Sequence, residues 1–232
     1  MAKIFGINGA MTGKLGNTVM AVRNGEQIAR QYQPVVANPS TPAQVEARAK
    51  LKLMSQLSAV MAPYIAMRKE GPVSSRNLFV KKNYGATTYT NNNADIDLSV
   101  VKLTSSVVAI PAITAVRDSN KFNIELSVGI STVDRMVYVM FTRDDNNALR
   151  AVASTVVSEP GENSHFHTSI SSVPGEAFFY GYGIRLNSEA ARTIFGDMSL
   201  VSADDVARVI TSRALLESDV TLTETRYTTV SA

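Results

Sequence analysis

The chain has 232 residues, 45% of them hydrophobic, enough for one large domain or two small ones with a proper core. It contains no Cys and no Trp, which excludes a disulfide scaffold, thiol chemistry and most zinc frameworks, and suits assembly in a reducing cytoplasm. The net charge of +3 hides a split, because residues 1–85 carry 12 basic and 3 acidic side chains and residues 86–232 carry 11 and 17.

In chain order, the first segment, MAKIFGINGAMTGK, lacks the apolar run of a signal peptide. No stretch approaches the roughly 18 uninterrupted apolar residues of a membrane span, so no membrane partner is expected. The runs TVMAVR (18–23) and EQIARQY (26–32) flank Asn24-Gly25. An Asn-Gly pair between two such runs predicts a β-hairpin, since both turn positions need positive φ. The two-residue turn sets Arg23 opposite Glu26, Ala21 opposite Ile28 and Val19 opposite Arg30. Pro34 and Pro39 carry the chain onward in extended form. Thr41-Pro42-Ala43-Gln44 then reads as a capping box with Pro at the first helical position. The helix it opens places Ala47, Leu51, Met54, Leu57 and Met61 on one stripe, pairs Glu46 with Lys50, and ends or kinks at Pro63. Ser74 is placed to cap a short helix through Leu78, Phe79 and Lys82.

Residues 85–95, GATTYTNNNAD, are polar and turn-rich and predict a boundary between structural parts. Beyond them the period is two: Phe122, Ile124, Leu126, Val128 and Ile130 alternate with polar or small residues, as in a half-buried strand. Residues 136–141 are apolar on both faces, which predicts a central strand. Further strands are expected at 98–104, 107–115, 148–157, 165–171 and 177–186, and a Thr-rich one over 220–230. Ser202 is placed to cap a helix holding Val206, Val209 and Ile210. The expected fold is α+β and mainly β. A basic arm with a hairpin and amphipathic helices spans 1–85, and an immunoglobulin-like antiparallel β-sandwich spans 96–232.

No catalytic site, metal site or cofactor is expected. Gly9 to Lys14 departs from a phosphate loop: three residues separate its glycines where four are needed, and Leu15 stands where Ser or Thr would hold Mg²⁺. His165 and His167 would share a strand face about 7 Å apart, with no third ligand beside them. Asp144-Asp145 and Asp204-Asp205 sit at a turn and a helix start, ordinary places for Asp. The sharpest chemical signal is the basic set Lys14, Arg23, Arg30, Arg48, Lys50 and Lys52, with Lys81 and Lys82 later. Such a set either neutralises phosphates of a nucleic acid or meets the acidic half of a neighbouring copy.

The run GKLGNTVMAVRNGEQIAR, followed by NPSTPAQVEARAKLKLMSQL, resembles an uncharacterised domain family of Bacteroides-type bacteria and their phages. The shared positions are Gly13, Lys14, Gly16, Asn17, Gly25, Arg30, Asn38, Pro39, Thr41, Pro42, Gln44, Arg48, Ala49 and Lys50. The resemblance covers about forty residues and implies no activity. Occurrence in phage genomes implies a virion or mobile-element role. The expectation is therefore a non-enzymatic virion structural protein, a capsid or capsid-associated subunit assembled in the host cytoplasm. It would associate with itself or with other virion proteins through the basic arm. The alternative is a soluble nucleic-acid-binding protein of a bacterium or mobile element.

Overall fold

The computed structural model describes residues 11–23, 25–35, 40–127, 133–144, 148–158, 165–197, 202–212 and 214–231. The chain divides into two compact units, Met1–Val45 and Glu46–Ala232. The expected boundary in 85–95 is thus not where the units part; residues 46–85 share a core with the strands that follow.

The first unit holds three strands, β1 (Gly13–Leu15), β2 (Thr18–Arg23) and β3 (Glu26–Gln31), in an antiparallel sheet of order β1-β2-β3. The β2–β3 register sets Arg23 against Glu26, Ala21 against Ile28 and Val19 against Arg30, as the Asn-Gly turn dictates. Gly25 has φ +87°. The hairpin carries one strand more than the sequence pattern suggested. Gly16-Asn17 is a second two-residue turn, with Leu15 opposite Thr18 and Gly16 at φ +55°, where a side chain would be strained. The amide of Tyr32 donates to the Asn17 carbonyl at 2.6 Å and extends the ladder.

Helix α1 (Pro42–Val60) begins with Pro at its first position, and the amides of Gln44 and Val45 donate to the Thr41 carbonyl. The expected capping box is not closed, because the Gln44 Oε1 is buried without a partner. The unit boundary falls within this helix. A 3-10 turn at 62–64, containing Pro63, ends it. In α2 (Ser75–Asn83), Ser74 caps the start by accepting from the Asn77 amide. The polar run at 85–95 is a tight hairpin of β4 (Thr87–Thr90) and β5 (Asn93–Ile96). Asn91 and Asn92 turn it at φ 52° and 63°, the left-handed region that Asn tolerates. The same polar, turn-rich composition is what predicts a boundary between structural parts from sequence.

Strand pairing organises the rest. Strands β6 (Thr114–Asp118), β7 (Lys121–Ser127), β8 (Arg135–Arg143), β9 (Leu149–Ser158), β10 (His165–Ser171) and β11 (Ala177–Leu186) are followed by helices α3 (Glu189–Asp197) and α4 (Ala203–Thr211). Strands β12 (Val220–Leu222) and β13 (Arg226–Val230) close the chain. A five-stranded sheet runs β9-β8-β11, with β12 and β13 sharing the far side of β11; a smaller sheet runs β10-β7-β6.

The expected strand at 98–104 does not form. Two of its amides go to side chains instead: the Lys102 amide donates to Asn83 Oδ1 at 2.7 Å, and the Leu103 amide to Thr225 Oγ1 at 2.7 Å. Such side-chain partners compete with a ladder. The expected strand at 107–115 begins only at Thr114.

The central strands β8 and β11 are buried on both faces. Val137, Val139, Phe141, Tyr180 and Tyr182 face one core, closed by Met54 and Leu57 of α1, Met61 just after it, Phe79 of α2, Phe195 of α3, and Val206 and Ile210 of α4. Met136, Tyr138, Met140 and Phe179 face a second core, closed by Ile113, Phe122, Ile124 and Ile170 of the smaller sheet and its approach. The approach to the small sheet can come close because β11 has glycine at 181, where a Cβ would press on the Ile113 side chain just before β6. The architecture is α+β and mainly strand, in three layers. The outer faces of a sandwich alternate with solvent-facing polar residues. Here the helical layer covers the outer face of the larger sheet, which departs from an immunoglobulin-like sandwich.

Candidate interaction surface

Alternation along the arm separates its charges. Strand pairing puts Lys14 opposite Val19, and Val19 opposite Arg30, so the two cations share one face about 10 Å apart across β2. The register positions of Arg23 and Glu26 lie on that same face. The opposite face carries Leu15, Thr18, Met20, Val22, Gln27, Ala29 and Gln31, with no charge among them. Lys14 and Arg30 are exposed. The Lys14 ammonium sits 3.5 Å from the centre of the Tyr32 ring, a cation–π contact that ties β1 to the end of β3. The Arg23 side chain lies outside the described part.

The other three expected residues lie on α1, in the second unit. Arg48 and Lys52 are exposed one turn apart. Lys50 is neutralised: its ammonium lies 2.6 Å from Glu46 Oε1, and its side chain is only 19% exposed. The six residues therefore fall into an arm group of three and a helix pair, with Lys50 part of a local ion pair. Lys81 and Lys82 occupy the last turn of α2, where cations suit the helix dipole.

Exposed apolar side chains concentrate at the same end of the sequence. Leu15, Val22, Ile28, Tyr32, Val35, Val45 and Leu51 make up half of the fourteen large apolar residues that stand exposed among the described residues. The expected core stripe of α1 is correct only from Met54 onward. Ala47 is exposed and Leu51 is 53% exposed. In the second unit, Leu53 and Val60 of α1, Ile96 of β5, Leu98 and Leu149 of β9 line an open groove of about 350 Å³. Arg143 lines it too, with its guanidinium 5.5 Å from the Phe178 ring. Asp95 and Asp97 belong to the same short segment as Ile96 and Leu98. The Ser99 hydroxyl and amide both donate to Asp97 Oδ1, at 2.6 and 2.9 Å, and hold its carboxyl below the usual range. The sequence pattern did not reveal this groove, because its walls are distant in the chain.

Other polar clusters are structural in character. The hydroxyls of Tyr138 and Tyr182 are buried without partners, and burial pushes both far up. Tyr180 is pushed up by burial as well and donates to the Leu98 carbonyl at 2.8 Å. Arg68 donates to the Leu215 carbonyl at 3.1 Å; burial lowers its pKa, while Glu217 and Asp219 oppose that shift. His165 and His167 take alternate positions of β10, and their side chains lie outside the described part. Among the described residues, no three His, Cys, Asp or Glu side chains group as a metal site requires. No helix among them is long and apolar enough to cross a membrane. Compared with protein-family models, with curated proteins and with solved structures, the chain matches none.

Proposed function

We propose that the chain is a non-enzymatic structural protein of a phage particle, a capsid or capsid-associated subunit, that assembles through its N-terminal arm. One observation carries this reading: the arm is a three-stranded sheet with no core of its own. Every residue of β3 is exposed, and no residue of the first unit belongs to either hydrophobic core among the described residues. Small sheets need a buried apolar face or a packing partner for stability. An arm of this kind is suited to clasping a neighbour. The family resemblance of residues 13–52 supports placing that neighbour in a virion, with assembly in the host cytoplasm.

The test is the solution mass of the purified full chain by light scattering, at low and high salt. The reading expects an oligomer; a monomer at both salts and at all concentrations overturns it. The common face of Lys14 and Arg30 also favours a second reading, a nucleic-acid-binding protein. That reading expects affinity for DNA or RNA to fall steeply with salt. It also expects Arg23→Glu with Arg30→Glu to abolish binding.

A further inference from the structure

We infer that the open edge of β3 pairs with itself: it adds to β3 of a second copy, antiparallel about a two-fold axis, and joins three strands from each arm into one continuous sheet. The inference rests on the self-association reading and names the strand, the partner and the register.

Among the described residues β3 pairs with β2 alone, and all six of its residues are exposed. Such an edge presents a row of unpaired amides and carbonyls, which proteins commonly blunt with Pro, a bulge or repelling charges. Strand β3 has no Pro, and its register with β2 runs unbroken from Glu26 to Gln31. Its two charges, Glu26 and Arg30, are opposite in sign and lie on one face on either side of Ile28.

Hydrogen-bonding phase limits how two such edges can meet. The Tyr32 amide donates to the Asn17 carbonyl. The even positions of β3 therefore bond inward to β2, and Gln27, Ala29 and Gln31 turn their amides and carbonyls to the open edge. Antiparallel pairing sets outward positions against outward positions. The register centred on Ile28 does so, with Gln27 against Ala29, Ile28 against its own copy, and Glu26 against Arg30 on both sides of the axis. A shift of two positions either way puts Ile28 opposite a charge, Arg30 in one direction and Glu26 in the other.

In the centred register the two Ile28 side chains form a non-hydrogen-bonded pair, the closer kind, with about 4.5 Å between Cα atoms. That contact covers a side chain that is 43% exposed in the single chain. Glu26 is in register with Arg23 of its own hairpin, and the two oxygens of a carboxylate can accept from a cation on each side. Opposite charges directly across a pair favour this register, and like charges oppose the others. The nucleic-acid reading uses Arg30 but sets the Glu26 carboxylate against a phosphate and leaves Ile28 without a role.

Charge variants of the full chain, alone and mixed, test this. Glu26→Arg sets two cations opposite each other in the pairing of like copies, and Arg30→Glu sets two carboxylates opposite each other. Each should weaken self-association by roughly tenfold or more, read as the concentration of half-association in light scattering. An equimolar mixture of the two variants restores opposite charges at both pairs and should recover the wild-type mass. A variant that fails to fold is not rescued by mixing, so a second measurement leaves the charges alone. The chain has no Cys. Ile28→Cys should give a disulfide-linked dimer under mild oxidation, because a Cα separation of about 4.5 Å suits that bond. Gln27→Cys, about 7–8 Å from its copy across the diagonal, should link far more slowly. Charge variants that associate like the wild type overturn the inference and leave self-association standing. So does an Ile28→Cys chain that links no faster than Gln27→Cys. A wild-type chain that is monomeric throughout overturns both.

Discussion

The arm and the body solve the same problem in opposite ways. In the body, β8 and β11 present apolar residues on both faces, and two cores take them up. Each fully buried Phe or Met there contributes about 1.5–3 kcal/mol. In the arm the turn chemistry is just as definite, with register fixed by Gly16-Asn17 and the Asn-Gly pair, yet no described side chain reaches a core. The body is specified by burial and the arm by turns and alternation. A definite register without burial marks a surface whose stabilisation comes from elsewhere.

Substitutions should separate the two regions. Phe79→Ala empties a fully buried site in α2 and should cost about 3–5 kcal/mol in chemical denaturation. A loss under 1 kcal/mol would mean that the helical layer is not the cover of the larger sheet. Gly183→Ala forces a methyl against the Val133 and Thr223 side chains and should cost about 1–3 kcal/mol; an unchanged midpoint would mean that β11 is not packed tightly against the segment entering β8. Val22→Ser with Ile28→Ser, one on each face of the arm, should leave the body's unfolding free energy within about 0.5 kcal/mol. The same pair should lower the solution mass at a fixed concentration. A large drop in the body's stability would erase the contrast between the regions.

Local chemistry was legible in the sequence where it acts over a few residues. The Asn-Gly register, the Ser74 and Ser202 caps, the Glu46–Lys50 pair and the doubly apolar strand at 136–141 all follow from neighbouring side chains. What escaped depends on distant ones. The run 85–95 reads as a boundary unless the strands on either side of Asn91-Asn92 are known to pair. The segment 98–104 looks like a strand until Asn83 and Thr225 take its amides. Leu51 continues a helical stripe whose partner starts only at Met54. Of the six basic residues, only pairing across β2 shows that Lys14 and Arg30 share a face. The groove, built from three separate stretches, left no local sign at all.

The most direct test is amide hydrogen exchange of β2 and β3 in the full chain at two concentrations, with light scattering in parallel. The account predicts that the arm amides exchange quickly in the dilute monomer and become protected as the chain associates. The amides of β8 and β11 should stay protected in both conditions. Arm amides as protected as those of β8 in a sample of monomer mass would contradict the claim that the arm is completed by a neighbour.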